Sequence, residues 1–214
     1  MERYIENVQK SYDRVADEYA SRFLHELEDK PLDRALLEHL VEEVRGSGLV
    51  ADLGCGPGHV ARYLHERGVS MLGIDLSPQM VEMARRLNPG ITFEQGNMAA
   101  LAAKDEAWAG IVAFYSLIHF PRAQVVQVLR EFHRVLRPGG VLLLSFHAGQ
   151  EVRHLEEWWG RPVSLEAVFF EREEMEGYLR EAGFATELSM QRAPYTREVP
   201  TQRVYILARK RPQA

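Results

Sequence analysis

The chain has 214 residues, 46% of them hydrophobic and 27% charged, with a formal net charge of -5 at pH 7. These values are typical of one globular domain with a substantial core. Without a Lys/Arg-rich run, they also disfavour a nucleic-acid backbone as the main partner. No apolar stretch is long enough for a membrane span or a signal peptide, so we expect no stable membrane insertion. The single cysteine, Cys55, cannot form an internal disulfide, which favours a reducing, cytoplasmic setting.

The first predicted elements are two helices. An apolar face recurs every three or four residues in the first of them, which indicates an amphipathic helix; its members are Tyr4, Val8, Tyr12, Val15, Tyr19 and Phe23. Pro31 ends this segment, and a second apolar stripe from Leu36 to Val44 predicts another helix before Gly46. The tyrosines of the first helix are consistent with half-buried packing, the commoner use, and with a binding surface.

A glycine-rich turn follows the first predicted strand. Residues 49–53 form a short apolar run, after which Gly54, Gly56 and Gly58 precede a helical pattern. In an open α/β sheet such a turn lies at the carboxyl ends of the strands, where ligands bind. A dinucleotide-binding turn has its third glycine at the position that His59 occupies here, and Asp52 is a poor neighbour for a pyrophosphate but a good one for an ammonium group. A tight turn without a ligand also remains open.

The second predicted strand, residues 70–75, ends in an acid. An aspartate at this position of a βαβ unit hydrogen-bonds ribose hydroxyls, and Asp75 would serve NAD or S-adenosylmethionine equally. Ser77 is a good helix N-cap, and Pro78 suits the first helical position.

Two further strands are predicted before the middle of the chain. Residues 91–95 form one, followed by the turn at Asn97, and residues 108–115 form the other. The second leads into a loop, residues 116–121, at the ligand edge. His119 of this loop has a solution pKa near neutrality and is the leading general-base candidate, with simple pocket lining as the alternative.

The remainder predicts a helix over residues 122–136, a turn at 137–140 and a fifth strand at 141–147. Residues 148–170 are aromatic-rich and irregular, and fit a wall of a ligand pocket or a packed surface cap equally well. A helix at 171–182 precedes two strands, 184–192 and 202–210. Their connecting loop forms either a polar cluster near a ligand or a solvated hairpin, with the residues Arg192, Tyr195, Arg197, Glu198 and Arg203.

Four segments resemble the class I S-adenosylmethionine-dependent methyltransferases of the small-molecule type. They are the D-x-G-x-G-x-G pattern at 52–58, the run from Gly73 to Met80, the helix from Tyr12 to Phe23, and residues 136–140. The resemblance implies a single domain, 1–214, with an N-terminal helical lid (1–46) and a substrate-side insertion (148–170). Its fold would be a Rossmann-like doubly wound α/β sheet of seven strands with the last strand antiparallel, in which strand and helix alternate five times.

The same resemblance implies the site residues. Those expected to bind S-adenosyl-L-methionine, with S-adenosyl-L-homocysteine as product, are Tyr19, Asp52, Gly54, Gly56, Gly58, Asp75, Leu76, Ser77, Met80, Asn97, Met98 and Tyr115. Asn97 replaces the family's usual aspartate, and its amide carbonyl can still accept a hydrogen bond from the adenine amino group. Those expected near the substrate are Tyr12, Ser116, His119, His147, Tyr195 and Arg203. No residue spacing specifies a metal site.

The expected reaction is direct displacement of the methyl group by an oxygen, nitrogen, sulfur or carbon atom of a small-molecule acceptor. Two alternatives remain open: an NAD-dependent oxidoreductase, and a non-catalytic S-adenosylmethionine-binding protein. The sequence names neither the acceptor nor the methylated atom, and it leaves a homodimer open.

Overall fold

The structure, a computed structural model, describes residues 2–211. Within this range the helices are α1 (Glu2–Phe23), α2 (Pro31–Val44), α3 (His59–His65), α4 (Pro78–Leu87), α5 (Arg122–Val135) and α6 (Arg172–Glu181). The strands are β1 (Leu49–Leu53), β2 (Ser70–Asp75), β3 (Thr92–Gln95), β4 (Trp108–Phe114), β5 (Leu136–His147), β6 (Val152–Trp158), β7 (Arg161–Val168), β8 (Phe184–Arg192) and β9 (Arg203–Lys210). Short 3-10 turns lie at Glu26–Asp29 and Leu117–His119.

Seven strands form one sheet in the order β3-β2-β1-β4-β5-β9-β8. Strands β1 to β5 pair in parallel, and β9 is antiparallel to β5 and to β8. The predicted seven-stranded sheet with an antiparallel last strand is therefore confirmed. The chain adds β2 and β3 on one side of β1 and then crosses to β4 on the other side of β1. Because the strand order reverses at this point, a crevice opens at the carboxyl ends of β1 and β4.

Helices cover both faces of the sheet, since the side chains of a strand alternate between its faces. Ala51 of β1 packs into one core with α5 and α6, whereas its neighbour Val50 packs into the other with α2, α3 and α4. Four of the five residues of β1 are buried. The glycine turn is thus anchored at the centre of the molecule.

Residues 148–170 form a β-hairpin, where the sequence had predicted an irregular segment. Strands β6 and β7 pair around a two-residue turn of Trp159 and Gly160, whose φ values are 52° and 74°. Positive φ at both positions matches the twist of a tight hairpin, although a tryptophan is an unusual residue for it. Val163 and Leu165 of β7 are buried against α1, which explains why the hairpin stays folded on the domain.

The prediction that strand and helix alternate five times is wrong, because residues 96–107 cross from β3 to β4 without a helix. Side chains of α5 bind the backbone of this loop. The Arg134 guanidinium donates to the carbonyls of Leu101 and Ala103, at 3.1 and 2.9 Å, and Glu131 accepts from the Leu101 N–H at 2.7 Å. These bonds replace those that a helix would have made.

Strand β5 begins at Leu136, five residues before the predicted Val141, so the predicted turn at 137–140 is wrong as a separate element. Leu136 pairs with Trp108, and the register then shifts before Val141 pairs with Gly110. Gly139 takes up the irregularity with a φ of 74°.

Helix α1 lies across β7 and the start of α4. Asp13 accepts hydrogen bonds from the Ser77 hydroxyl (2.5 Å) and the Gln79 N–H (3.4 Å), both at the N-terminus of α4. On the other side the Ser164 N–H donates to the Ser11 hydroxyl at 2.9 Å. Of the expected lid, residues 1–46, Met1 lies outside the described residues.

Candidate functional site

A cavity lies at the carboxyl ends of β1, β2 and β4, beneath α1. Its floor comes from the glycine turn and its roof from the apolar face of α1. The lining residues are Tyr4, Ile5, Val8, Tyr12, Tyr19, Gly54, Gly56, Ile74, Asp75, Leu76, Met80, Gly96, Asn97, Met98, Phe114, Tyr115, Ser116, His119 and Phe120. Fifteen residues separate Tyr4 from Tyr19, so the roof spans about 22 Å at the helical rise of 1.5 Å per residue. Such a cavity suits an elongated ligand.

The glycines of the floor are required by the backbone. Gly54 and Gly58 have φ values of 74° and 81°, a region that other residues rarely adopt. A Cβ on Gly54 would lie 2.4 Å from the Cβ of Ser116, and one on Gly58 would lie 2.7 Å from the Phe93 ring. The turn therefore leaves its main chain bare toward the cavity, where Gly56 faces the Tyr19 ring.

Asp75 connects the glycine turn to α4. One carboxylate oxygen accepts from the Gly56 N–H at 2.8 Å, and the other accepts from the Ser77 N–H at 2.9 Å. Burial raises the pKa of Asp75 to about 6, because its effect exceeds that of these hydrogen bonds, which lower the pKa. Each oxygen keeps a lone pair for a ligand hydroxyl.

Three of the expected cofactor residues stand behind the cavity wall. The Asp52 carboxylate accepts from the Ala61 N–H at 3.2 Å, and burial raises its pKa to about 7. Ser77 caps α4 by accepting from the Met80 N–H at 3.1 Å. Gly58 packs on Phe93. They support the turn and the helix start that face the cavity.

The cavity is also lined by Leu76, Met80, Asn97 and Met98, four of the residues predicted to bind the cofactor. The Asn97 side-chain oxygen accepts from the Ala99 N–H at 2.9 Å, so one of its two lone pairs is already used.

Two buried hydroxyls of the wall, those of Tyr4 and Ser116, have no hydrogen-bond partner among the described residues. Such atoms are costly unless a ligand or water satisfies them. They therefore indicate a polar ligand in this cavity.

His119 and Tyr12 meet on the wall. The Tyr12 hydroxyl lies 2.7 Å from His119 Nε2, and His119 Nδ1 lies 2.9 Å from the carbonyl oxygen of Glu166 in β7. Burial lowers the pKa of His119, so the imidazole is neutral at neutral pH.

Tyr115 lines the cavity in a left-handed conformation with a φ of 52°. This conformation costs free energy for a residue with a side chain, and it persists only when the surroundings hold it. The Tyr115 hydroxyl lies 3.3 Å from that of Tyr205, which donates to Asp33 at 2.9 Å and accepts from Arg192 at 2.7 Å. A buried polar network therefore supports the strained residue.

The structure does not bring His147, Tyr195 and Arg203 onto the cavity wall. Burial and the nearby Arg203 lower the pKa of His147 to about 4, and Thr201 lies 2.8 Å from its Nδ1 atom. The Tyr195 hydroxyl accepts from the Leu32 N–H at 3.3 Å. Arg203 pairs with Glu198 at 3.2 Å. All three belong to the network behind Tyr115 and its loop.

Sequence reasoning missed seven wall residues: Tyr4, Ile5, Val8, Ile74, Gly96, Phe114 and Phe120. Tyr4 and Val8 belong to the apolar face that was recognised on the first helix, so the signal was present. The pattern alone did not show that this face covers a ligand site as well as β7.

No three His, Cys, Asp or Glu side chains within residues 4–211 are grouped as metal ligands would be. Over the same range, no helix combines the length and apolar character needed to cross a membrane.

The strand order, the glycine turn and the acid after β2 define a nucleotide-cofactor domain of the class I methyltransferase type. Comparison with known families agrees, since the profile of the methyltransferase domain matches residues 50–140. Residues 50–140 thus form a methyltransferase domain, and the strand order and glycine motif are similar to those of the class I S-adenosylmethionine-dependent methyltransferases.

Among curated proteins, the chain is 30% identical over 156 residues to the malonyl-[acyl-carrier protein] O-methyltransferase of Enterobacter lignolyticus, covering 71% of this chain and 58% of that protein. It is 33% identical over 92 residues to the demethylmenaquinone methyltransferase of Chlorobaculum parvum, covering 42% and 37%. The chain thus spans about half the length of the curated relatives it matches.

Solved structures show the same fold. The DhpI–SAH complex aligns with a TM-score of 0.74 at 21% identity, covering 98% of both chains. A methyltransferase from Methanosarcina mazei aligns with a TM-score of 0.73 at 19% identity, covering 82% of this chain and 98% of that one.

Proposed function

We propose that the protein transfers a methyl group from S-adenosyl-L-methionine to a small-molecule acceptor by direct displacement. The observation that carries the proposal is the cavity itself. It is long, has a glycine floor held by Asp75, and contains buried hydroxyls of Tyr4 and Ser116 that lack partners within the described residues. A polar, elongated ligand would satisfy these atoms. The residues present therefore fit the cofactor.

The expected contacts follow the length of the cavity. Gly54, Gly56 and Tyr19 would bind the methionine part, and Asp75 would accept from the ribose hydroxyls. Leu76, Met80, Asn97 and Met98 would surround the adenine. Asp52, Gly58 and Ser77 would act from behind by fixing the turn and the start of α4.

The bound cofactor would supply a methyl group on a positively charged sulfonium, which makes that methyl electrophilic. The protein then has to align an acceptor with it and exclude water, and alignment alone can contribute several powers of ten to a rate. Helix α1 roofs the cavity, and Tyr115 is held firmly from behind. Tyr12, Ser116 and His119 line the same cavity and would be the polar side chains nearest the acceptor.

The relatives support a small acceptor. Those matched include proteins named for O-methylation of malonyl-[acyl-carrier protein], in which the malonyl group is carried on a protein, and for methylation of demethylmenaquinone. The net charge of -5 also makes a nucleic-acid acceptor unfavourable.

The first test is calorimetric titration with S-adenosyl-L-homocysteine, with NAD as the comparison. We expect micromolar affinity for the first ligand and none for the second. Binding of NAD alone would contradict the proposal. Binding of S-adenosyl-L-homocysteine without methyl transfer to any acceptor of a broad panel would instead indicate a protein that only binds the cofactor.

A further inference from the structure

The contacts of His119 fix the position of its protons. Nδ1 lies 2.9 Å from a backbone carbonyl, which can only accept, so Nδ1 carries the hydrogen. In a neutral imidazole Nε2 then carries the lone pair, and the Tyr12 hydroxyl 2.7 Å away must donate to it. The basic nitrogen of His119 is therefore engaged by Tyr12 and has no free lone pair for an acceptor.

The Tyr12 hydroxyl thus occupies the basic nitrogen of the imidazole at the wall of the cavity. Both side chains line the wall, and Tyr12 comes from α1 whereas His119 comes from the loop after β4. We propose that Tyr12 is the catalytic residue that takes the proton from an acceptor O–H group while passing its own proton to His119. This inference rests on the proposed methyl transfer, and it assigns the acceptors to the hydroxyl-bearing class.

The step balances in atoms and charge. The acceptor oxygen forms a bond to the methyl carbon as the carbon–sulfur bond breaks, and the sulfonium becomes a neutral thioether. The acceptor proton moves to the Tyr12 oxygen, and the Tyr12 proton moves to His119 Nε2, giving an imidazolium. One positive charge disappears at sulfur and one appears on His119, so the buried cavity never has to hold two. The Glu166 carbonyl, accepting from Nδ1, stabilises the imidazolium.

The surroundings keep the relay ready at neutral pH. Burial lowers the pKa of His119, so its Nε2 lone pair is present, and burial raises the pKa of Tyr12, so its proton is present. The titratable groups that face this pair are Tyr4 and Tyr19 of α1, Asp75 after β2 and Glu166 of β7. The Glu166 side chain is turned toward His154, 3.2 Å away.

The test compares Tyr12→Phe, His119→Gln and their double variant with the wild type in the full chain. Tyr63→Phe is the matched control, since Tyr63 bonds to Glu38 away from the cavity. The methyl acceptors are 4-nitrophenol, phenol and benzyl alcohol, in order of falling acidity, assayed by transfer of labelled methyl at pH 8. Affinity for S-adenosyl-L-homocysteine is measured for every variant.

We expect Tyr12→Phe to lower kcat with phenol about 100-fold, a usual size for proton-transfer catalysis. Transfer to 4-nitrophenol should fall far less, because that phenol is already ionised at pH 8. The double variant should be no slower than either single one, since the two groups act in series. His119→Gln should also remove the fall of the wild-type rate at acid pH. Cofactor affinity should stay within about threefold of the wild type.

The relay is wrong if Tyr12→Phe retains the wild-type kcat with phenol, if all three acceptors slow equally, or if the losses of the two single variants multiply. It is also wrong if the wild type binds S-adenosyl-L-homocysteine but methylates none of the acceptors. A wild type that fails to bind S-adenosyl-L-homocysteine would instead contradict the proposed function.

Discussion

At the scale of single residues, Asp75 connects two parts of the site. Its two oxygens accept from the Gly56 and Ser77 N–H groups, so one side chain sets both the glycine turn and the entry to α4. Its position after β2 was evident from the sequence, because an acid at the end of a strand is a local signal. Its bond to Gly56 was not, because the pattern does not show which loop the carboxylate reaches.

Replacement of Asp75 by alanine should weaken binding of S-adenosyl-L-homocysteine by at least about tenfold, because the ribose acceptor and the support of the turn are lost together. Calorimetry would measure the change. Asp105→Ala is the control, an exposed aspartate at the opposite edge of the sheet. Equal affinity of Asp75→Ala and the wild type would exclude Asp75 as a ribose ligand.

At the scale of elements, α1 roofs the cavity and the β6–β7 hairpin packs against α1. The roof residues of α1 were predicted as one apolar face, because helical periodicity is readable from sequence. The hairpin was not predicted, since its turn uses Trp159 at a positive φ where asparagine or glycine would have signalled it. The docking of α1 depends on Asp13, which bonds to Ser77 and Gln79 across 64 and 66 residues.

Asp13→Ala should speed release of S-adenosyl-L-homocysteine by roughly tenfold, since two hydrogen bonds that dock α1 on α4 are removed. Stopped-flow displacement gives the dissociation rate. Asp17→Ala, on the exposed side of the same helix, should leave that rate unchanged. An unaltered rate in Asp13→Ala would show that α1 does not control ligand exit.

At the scale of the whole molecule, buried carboxyl groups destabilise the folded state once they are ionised. Burial raises the pKa of Asp52 to about 7, far above its value in an unfolded chain. The folded state then binds more protons than the unfolded state. Its stabilisation by Asp52 is complete below pH 4 and is lost as pH rises through 7.

The free energy of unfolding without ligand should therefore fall for the wild type relative to Asp52→Asn between pH 6 and pH 8, by about 1.4 kcal/mol. Urea denaturation at both pH values measures it. The wild type is compared with Asp52→Asn because His147 also affects the free energy of unfolding. The pKa of His147 is lower in the folded protein than in the unfolded chain, so this histidine stabilises the folded state increasingly as the pH rises to about 6.5. If the free energies of unfolding of the two proteins differ by the same amount at pH 6 and pH 8, Asp52 is already fully ionised at pH 6.

The seven-stranded sheet and most of its helices could be predicted from the sequence because their signals are local: apolar strands, glycine turns and helix caps. The support of Tyr115 could not, because it joins distant parts of the chain. Tyr205 and Asp33 are 172 residues apart, and Arg192 reaches Asp33 across 159. Tyr205 of β9 and Asp33 of α2 come together only through the order of the strands in the sheet, and no periodicity in the sequence predicts that contact.

The contact between α1 and β7 has a thermal consequence. It is largely apolar, with Val8 and Val15 on one side and Val163 and Leu165 on the other. Separating the two surfaces would expose this area to water, with a positive change in heat capacity. Apolar association weakens on cooling as well as on strong heating. The protein should therefore retain its ligand most firmly within an intermediate band of temperature, and exchange it more readily in the cold.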